Sequence, residues 1–225
     1  MINTWPAGIE GSTRDRLLAA GIRLFAERGF RETTVGDIEA AAGLQPRRGA
    51  LYHHFPTKQA LLEAAVSTHV AMVEAGLRQM DALPGADLRT AALLMGRWFL
   101  AELDAERYLC RILEQDGERL PEIRDLIRER IIDAGHRRVE QLLRRRSGRS
   151  RPGVDTAALA ALIVGPLANQ RRVAWTYGGP PLGIDDERLL ATWSNIVTTL
   201  IESVPGKAGD RPSTGARRRR NPPSS

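Results

Sequence analysis

Cysteine is nearly missing from this chain. Cys110 stands alone among 225 residues, which excludes an internal disulfide framework and fits a reducing compartment. Aromatic residues are scarce at 5%, so a core has to be built largely from aliphatic side chains and alanine. Long hydrophobic runs are missing too: the longest uncharged apolar stretch, residues 157–168, has 12 residues, short of the roughly 18–20 that cross a bilayer. The opening MINTWPAGIEGSTRDR has no apolar centre and no cleavage-like site, so no signal peptide is expected. Together these absences describe a soluble, cytoplasmic chain with no membrane partner.

Clustered metal ligands and catalytic constellations are equally absent. His53 and His54 are neighbours in sequence and point to different sides of a helix, and no Cys or carboxylate cluster accompanies them, so neither a metal nor a cofactor is expected. Glu114, Asp116 and Glu118 in LEQDGERL lack the spacing of a calcium loop and read as a solvated helix end. His69 and His136 read as ordinary helix-face residues, and Cys110 in YLCRIL as a core residue. No nucleophile has a visible partner base, so an all-α enzyme stays an alternative without catalytic residues to support it.

The charge is positive but unevenly placed. Of the net +6, the segment 205–225 carries six Lys/Arg against one Asp, a net +5, and the other 204 residues carry +1. Basicity is therefore a property of the tail and does not by itself establish nucleic-acid binding. This tail is rich in Pro, Gly, Ser and Arg and has little to bury, so disorder is expected. Its RRRR at 217–220 adds non-specific phosphate attraction or is simply a soluble end. Arg144–Arg146 suit a helix C-terminus at least as well as a second nucleic-acid patch.

What is present is apolar periodicity near 3.6 residues in every long segment, with no alternating strand pattern and no repeat, which gives an all-α fold class. Leu17, Leu18, Leu24 and Phe25 form the stripe of a first helix over Thr13–Arg28, closed by Gly29. Thr34 with Asp37 three residues on is a capping box for a short second helix ending before Gly43. Pro46 suits the first position of a third helix, which Pro56 ends. Thr57 then caps a long helix carrying Leu61, Leu62, Ala65, Val66, Val70 and Val73. Further helices are predicted at about 87–104, 106–117, 121–147, 155–177 and 185–203, separated by Gly- and Pro-containing breaks.

Short helices separated by a glycine-containing turn are the arrangement of a helix-turn-helix, in which the later helix enters the major groove. Val35, Ile38 and Leu51 would hold it together. Pro46, Arg47, Arg48, Gly49 and Ala50 leave the front of the recognition helix basic and sterically low. Arg47 and Arg48 can reach phosphates or guanine edges, and Tyr52, His53 and Lys58 can donate to phosphates.

The run RLFAERGFRETTVGDIEAAAGL followed by GALYHHFPTKQALL resembles the signature of the TetR (tetracycline-repressor-like) family. The carriers are Leu24-Phe25-Ala26, Gly29-Phe30, Thr33-Thr34-Val35, Ile38, Ala42-Gly43, Gly49, Leu51-Tyr52, His54-Phe55 and Lys58, within residues 14–65. The resemblance implies that Thr33 or Thr34 and Lys58 meet phosphates and that Tyr52 and His53 lie against the DNA backbone. Gln45, Arg47, Arg48 and Ala50 complete the implied DNA-binding set. The Gly43–Gly49 spacing is about two residues longer than the family's usual one.

The same resemblance implies a homodimer on a double-stranded, roughly palindromic operator and a helical domain with an effector pocket. Trp98, Phe99, Glu102, Tyr108 and Trp175 are the candidate lining, although aromatics on helices are core by default. The apolar stripes Leu159, Leu162, Ile163, Leu167 and Leu189, Trp193, Ile196, Val197, Leu200 predict a dimer surface made by the last two helices. The predicted organisation is a flexible 1–12, a helix-turn-helix domain 13–58, a ligand-binding and dimerisation domain 59–204, and a disordered tail 205–225. The functional expectation is a ligand-released repressor, with an activator or an effector-independent regulator as alternatives.

Overall fold

The structure, a computed structural model, describes residues 11–81, 87–147 and 155–203, and every regular element among them is helical. The expectations for residues 1–10 and 205–225 fall outside the described residues. Helix α1 (Thr13–Arg28) starts at Ser12, which exchanges capping-box hydrogen bonds with Asp15, and stops at Gly29, whose φ of 92° suits a residue without Cβ. Helix α2 (Val35–Ala41) starts on the predicted Thr34–Asp37 box. Helix α3 (Lys58–Asp81) follows Thr57, whose hydroxyl accepts the Ala60 N–H at 2.9 Å.

The predicted third helix from Pro46 does not form. Arg47 and Gly49 both have positive φ, 63° and 73°, and two such residues in three positions cannot wind as an α-helix. A single tight 3₁₀ turn, Leu51–His53, remains.

Helix α4 (Leu88–Asp116) is continuous where two helices were expected. Between Leu103 and Tyr108 there is neither Gly nor Pro, so nothing interrupts the ladder. Helix α5 (Pro121–Ile127) has Pro121 in its first turn and runs through a wider, π-type stretch (Arg128–Asp133) into α6 (Ala134–Ser147). Helix α7 (Thr156–Tyr177) is capped by Asp155 and ends at Gly178 with φ 80°; α8 (Asp186–Ser203) returns beside α4.

Two regions of core result. The first joins α1, α2, the Leu51 turn and α3 to the far end of α4 and to α5, through Phe25, Ile38, Leu61, Leu62, Ile112 and Ile123. This core accounts for the apolar α3, which by length and composition could cross a membrane but has Leu61, Leu62, Ala65 and Val66 fully buried inside the protein. The second region packs the start of α4 and α6 against α7 and α8. There α8 approaches α4 at Gly96, where a Cβ would sit 2.7 Å from Leu190 Cδ2 and 3.0 Å from Trp193 Cζ3.

This packing divides the predicted dimer surface. Ile163, Leu167 and Val197 are buried within the chain, and Leu159, Leu189 and Trp193 are half-buried against the same core. Trp193 also donates its Nε1–H to the Ile163 carbonyl at 2.9 Å. A two-helix layer first buries its main apolar stripe against its own subunit, so most of the predicted residues are internal. Leu162 and Ile196 face outward, 66% and 54% exposed, and Leu200 is half-buried.

Candidate nucleic-acid interface

The segment between α2 and α3 presents most of the sequence-predicted contacts. Gln45, Arg47, Arg48, Tyr52 and His53 are exposed, and Ala50 is half-buried. Thr34, Pro46 and Arg47 converge over Gly36, where a Cβ would meet Arg47 Cγ at 3.7 Å, Thr34 Oγ1 at 3.8 Å and Pro46 Cβ at 4.0 Å. The α2 cap and the basic turn therefore form one continuous surface. Thr34 is occupied as a cap: its hydroxyl donates to Asp37 Oδ2 at 2.6 Å and its backbone N–H does so at 2.9 Å. These two bonds, in that order, hold the Asp37 carboxyl below the ordinary carboxylate range.

Thr33 and Lys58 lie elsewhere. Thr33 is fully buried and its hydroxyl bonds the Gly29 carbonyl at 2.8 Å and the Leu24 carbonyl at 3.2 Å. The Lys58 ammonium donates to the carbonyls of Phe30, Thr33 and Arg31 at 2.7, 3.1 and 3.2 Å and sits 4.6 Å from the centre of the Phe30 ring. Three N–H donors meet three carbonyls, a complete match for an ammonium group. In this arrangement Lys58 ties the α1–α2 loop together and has no proton left for a phosphate.

The same loop is held from the other side by α4. Asp116, read from sequence as part of a solvated helix end, is buried, and its Oδ2 accepts the Phe30 N–H at 2.8 Å. His69, read from sequence as an ordinary helix-face residue, is buried on α3 with Nε2 3.2 Å from Glu106 Oε1 on α4. One turn before Glu106, burial raises the Glu102 carboxyl, His69 opposes that shift and the Glu106 charge reinforces it. Sequence gave little warning of these links, because each joins residues tens of positions apart and neither partner stands out alone.

The five candidate effector contacts do not share one wall. Trp98 reaches toward α3, where a Cβ at Gly76 would lie 2.8 Å from its Nε1. Phe99 packs on the Leu100–Leu167–Leu190 cluster, and Tyr108 on the first core. Trp175 donates Nε1–H to Asp104 Oδ1 at 3.3 Å under the Arg107 guanidinium. A small cavity of about 60 Å³ lies instead among Leu100, Arg171, Ala174, Ile184 and Leu189, and none of the five lines it. Arg171 spans its edge, bonding Asp186 through both terminal nitrogens at 2.8 and 3.1 Å and pairing with Asp104 at 3.2 Å.

Cys110, read from sequence as a core residue, is half-buried on α4. Burial, reinforced by the charges of Glu106 and Glu114, pushes its thiol up to about 12. At pH 8 very little thiolate exists, so alkylation of the folded protein should run slower than that of the denatured chain by on the order of a hundredfold or more. Mass spectrometry of timed iodoacetamide samples measures this; equal rates would show that the fold does not shield the sulfur.

Among the described residues no group of three or more His, Cys, Asp or Glu side chains is arranged to hold a metal ion. Comparison with known proteins places the N-terminal geometry. The family model described as "Bacterial regulatory proteins, tetR family" matches residues 17–65. Over 57 residues the chain is 46% identical to the HTH-type transcriptional repressor KstR2 of Mycobacterium tuberculosis, covering 25% of this chain and 28% of that protein. A longer likeness, 23% identity over 159 residues, covers 68% of this chain and 76% of the HTH-type transcriptional regulator UidR of Escherichia coli. The chain spans between a fifth and about three tenths of the length of the curated relatives with the stronger N-terminal match. A crystal structure from Mesorhizobium loti, described as a TetR-family transcriptional regulator, superposes with a TM-score of 0.63 at 18% identity over 86% of this chain and 96% of that one. The family's N-terminal module thus matches residues 17–65, and the fold of a structure so described extends along most of the described length.

Proposed function

We propose that this protein is a homodimeric transcriptional repressor that binds a roughly palindromic DNA operator and is released by a small molecule. Residues 13–58 supply the DNA-reading part and residues 59–204 the effector-binding and dimerising part. The observation that carries the reading is the exposed, basic turn Gln45–His53 beside the α2 cap, on a fully packed support. Arg47 and Arg48 present guanidinium groups suited to guanine edges or phosphates. Two copies related by a two-fold axis would present two such turns about 34–36 Å apart, the spacing of successive major grooves.

Release by an effector is supported by the course of α4. Its last residue, Asp116, bonds the α1–α2 loop, while its middle is tied to α7 and α8 by Asp104–Arg171–Asp186 and by the Gly96 contact. A molecule that separates α4 from α7 shifts the α1–α2 loop, which leads into the helix that supports the DNA-reading segment, and differential affinity for the two arrangements becomes a change in DNA affinity. The cavity of about 60 Å³ is smaller than the roughly 300–1,000 Å³ of drug-sized sites, so binding requires those helices to part.

Selection of the full chain on random duplex DNA tests the reading: a two-fold-symmetric consensus is expected, and an unenriched pool would refute sequence-specific binding. Truncation after Val204, which removes six Lys/Arg and one Asp, should preserve that consensus. It should weaken binding to random DNA and flatten its salt dependence, because fewer counterions are released. A changed consensus would show that the tail reads bases.

A further inference from the structure

The turn that carries Arg47 and Arg48 is exposed and non-helical, and a flexible turn would read bases poorly because each arginine would have to be ordered on binding. What fixes it comes from beneath. Glu39 lies on the inner face of α2 and is 0% exposed. Its Oε2 accepts the Arg47 N–H at 2.7 Å and its Oε1 accepts the Leu51 N–H at 3.0 Å. One carboxylate therefore spans the whole excursion, with an oxygen on each end.

Both bonds are needed by the local geometry. Arg47 has φ 63° and so cannot share in a helical ladder, and Leu51 starts the short 3₁₀ turn, a position whose N–H has no partner within the turn itself. The other backbone bonds here, from the N–H groups of Tyr52 to Gly49 O and of His54 and Phe55 to Leu51 O, lie downstream of Arg47. Bonds between backbone N–H and a carboxylate are charge-assisted, roughly twice as strong as neutral ones. The buried carboxylate in turn depends on them to offset its desolvation.

We propose that Glu39 is the positioning residue for DNA readout: without touching DNA, it clamps both ends of the 47–51 turn and thereby sets the direction of Arg47 and Arg48. This rests on the reading of the turn as the DNA-reading element. It predicts that specificity is carried partly by a buried acid on the supporting helix, and that changing it alters which bases are chosen more than how tightly DNA is held.

The test uses the full chain with Glu39→Gln, which keeps the size but replaces one acceptor with an NH₂ group, and Glu39→Asp, which keeps the charge but shortens the arm. Two readouts are taken: amide hydrogen exchange by NMR, and selection on random duplex DNA. Expected are faster exchange at the Arg47 and Leu51 amides, with α1 and α3 amides unchanged. Enrichment should fall on the order of tenfold at the base positions facing the turn, while affinity for random DNA is retained. The proposal is overturned if the variants keep the wild-type base preferences. That holds whether the two amides stay protected or protection falls evenly through α1–α3, the second pattern marking Glu39 as a general stabiliser of the core. Failure of the wild-type chain to select any sequence would instead overturn the DNA-reading function itself, so the two outcomes are distinguishable.

Discussion

Arginine at both Leu162 and Ile196 is expected to turn the protein into a folded monomer that no longer holds a palindromic operator. Neither side chain serves the subunit core, at 66% and 54% exposed, so replacing them leaves the fold intact. Around them the outward residues of α7, Ala158, Ala161, Pro166 and Asn169, and of α8, Ala191, Thr192, Asn195 and Thr199, carry no charge. A Cβ at Gly165 would meet nothing within 4 Å. An uncharged, low-relief strip along two adjacent helices is what a four-helix interface between copies needs. Placing unpaired guanidinium groups there costs about 3–5 kcal/mol at each buried position, enough to weaken dimerisation by a thousandfold or more in rough terms. Sedimentation and far-UV circular dichroism read the two halves of the expectation. A double variant that stays dimeric at micromolar concentration would move the interface elsewhere. Trp193→Arg is a poor substitute for this test, since Trp193 packs over Gly96 and bonds Ile163 inside the subunit.

Lys58→Arg should be far from conservative, although it preserves the charge. An ammonium with three divergent N–H groups meets three carbonyls at 2.7, 3.1 and 3.2 Å, and a planar guanidinium fork cannot occupy that point without displacing the loop. Hydrogen bonds to charged groups contribute about 1.5–3 kcal/mol each, and here they share one donor. Lys58→Arg and Lys58→Met are therefore both expected to lower the unfolding free energy by roughly 2–3 kcal/mol, measured by urea denaturation. DNA affinity should fall alike for every sequence, because the loop beneath the reading turn loosens. If Lys58 acted chiefly as a phosphate contact, Lys58→Arg would retain stability and binding while Lys58→Met lost only binding. That pattern would count against the capping role.

These two cases show what a linear reading captures. Periodicity located α1, α7 and α8 closely, and the caps Thr34 and Thr57 located α2 and α3, because such signals act within a few residues of themselves. The family resemblance of residues 14–65 was legible for the same reason. Long-range pairings were not: Glu39 with Arg47 and Leu51, Asp116 with Phe30, and His69 with Glu106 depend on folded proximity. The helix expected from Pro46 failed because proline at a first turn is permissive and does not compel a helix. Arg47 instead takes a positive φ, with its N–H on the Glu39 carboxylate and Gly49 two residues on. The last two helices were placed correctly but their outer face was not, since an apolar stripe gives no sign of whether its partner is the same subunit or another.

The π-type stretch at Arg128–Asp133 has a consequence for chain length. At 3.6 residues per turn, the 16 steps from Ile127 to Leu143 would leave these residues about 160° apart. One residue absorbed in a widened turn brings that to about 60°, and both side chains are buried. Deleting a single residue inside the stretch would restore ordinary winding and, with one step fewer, leave Leu143 at the same angle. This part of the helix thus works as a vernier: a copy of the chain one residue shorter there presents the same faces to both cores. Loss of one codon is absorbed at 128–133, where the same loss in the middle of α4 would rotate Asp104 and Asp116 away from their partners.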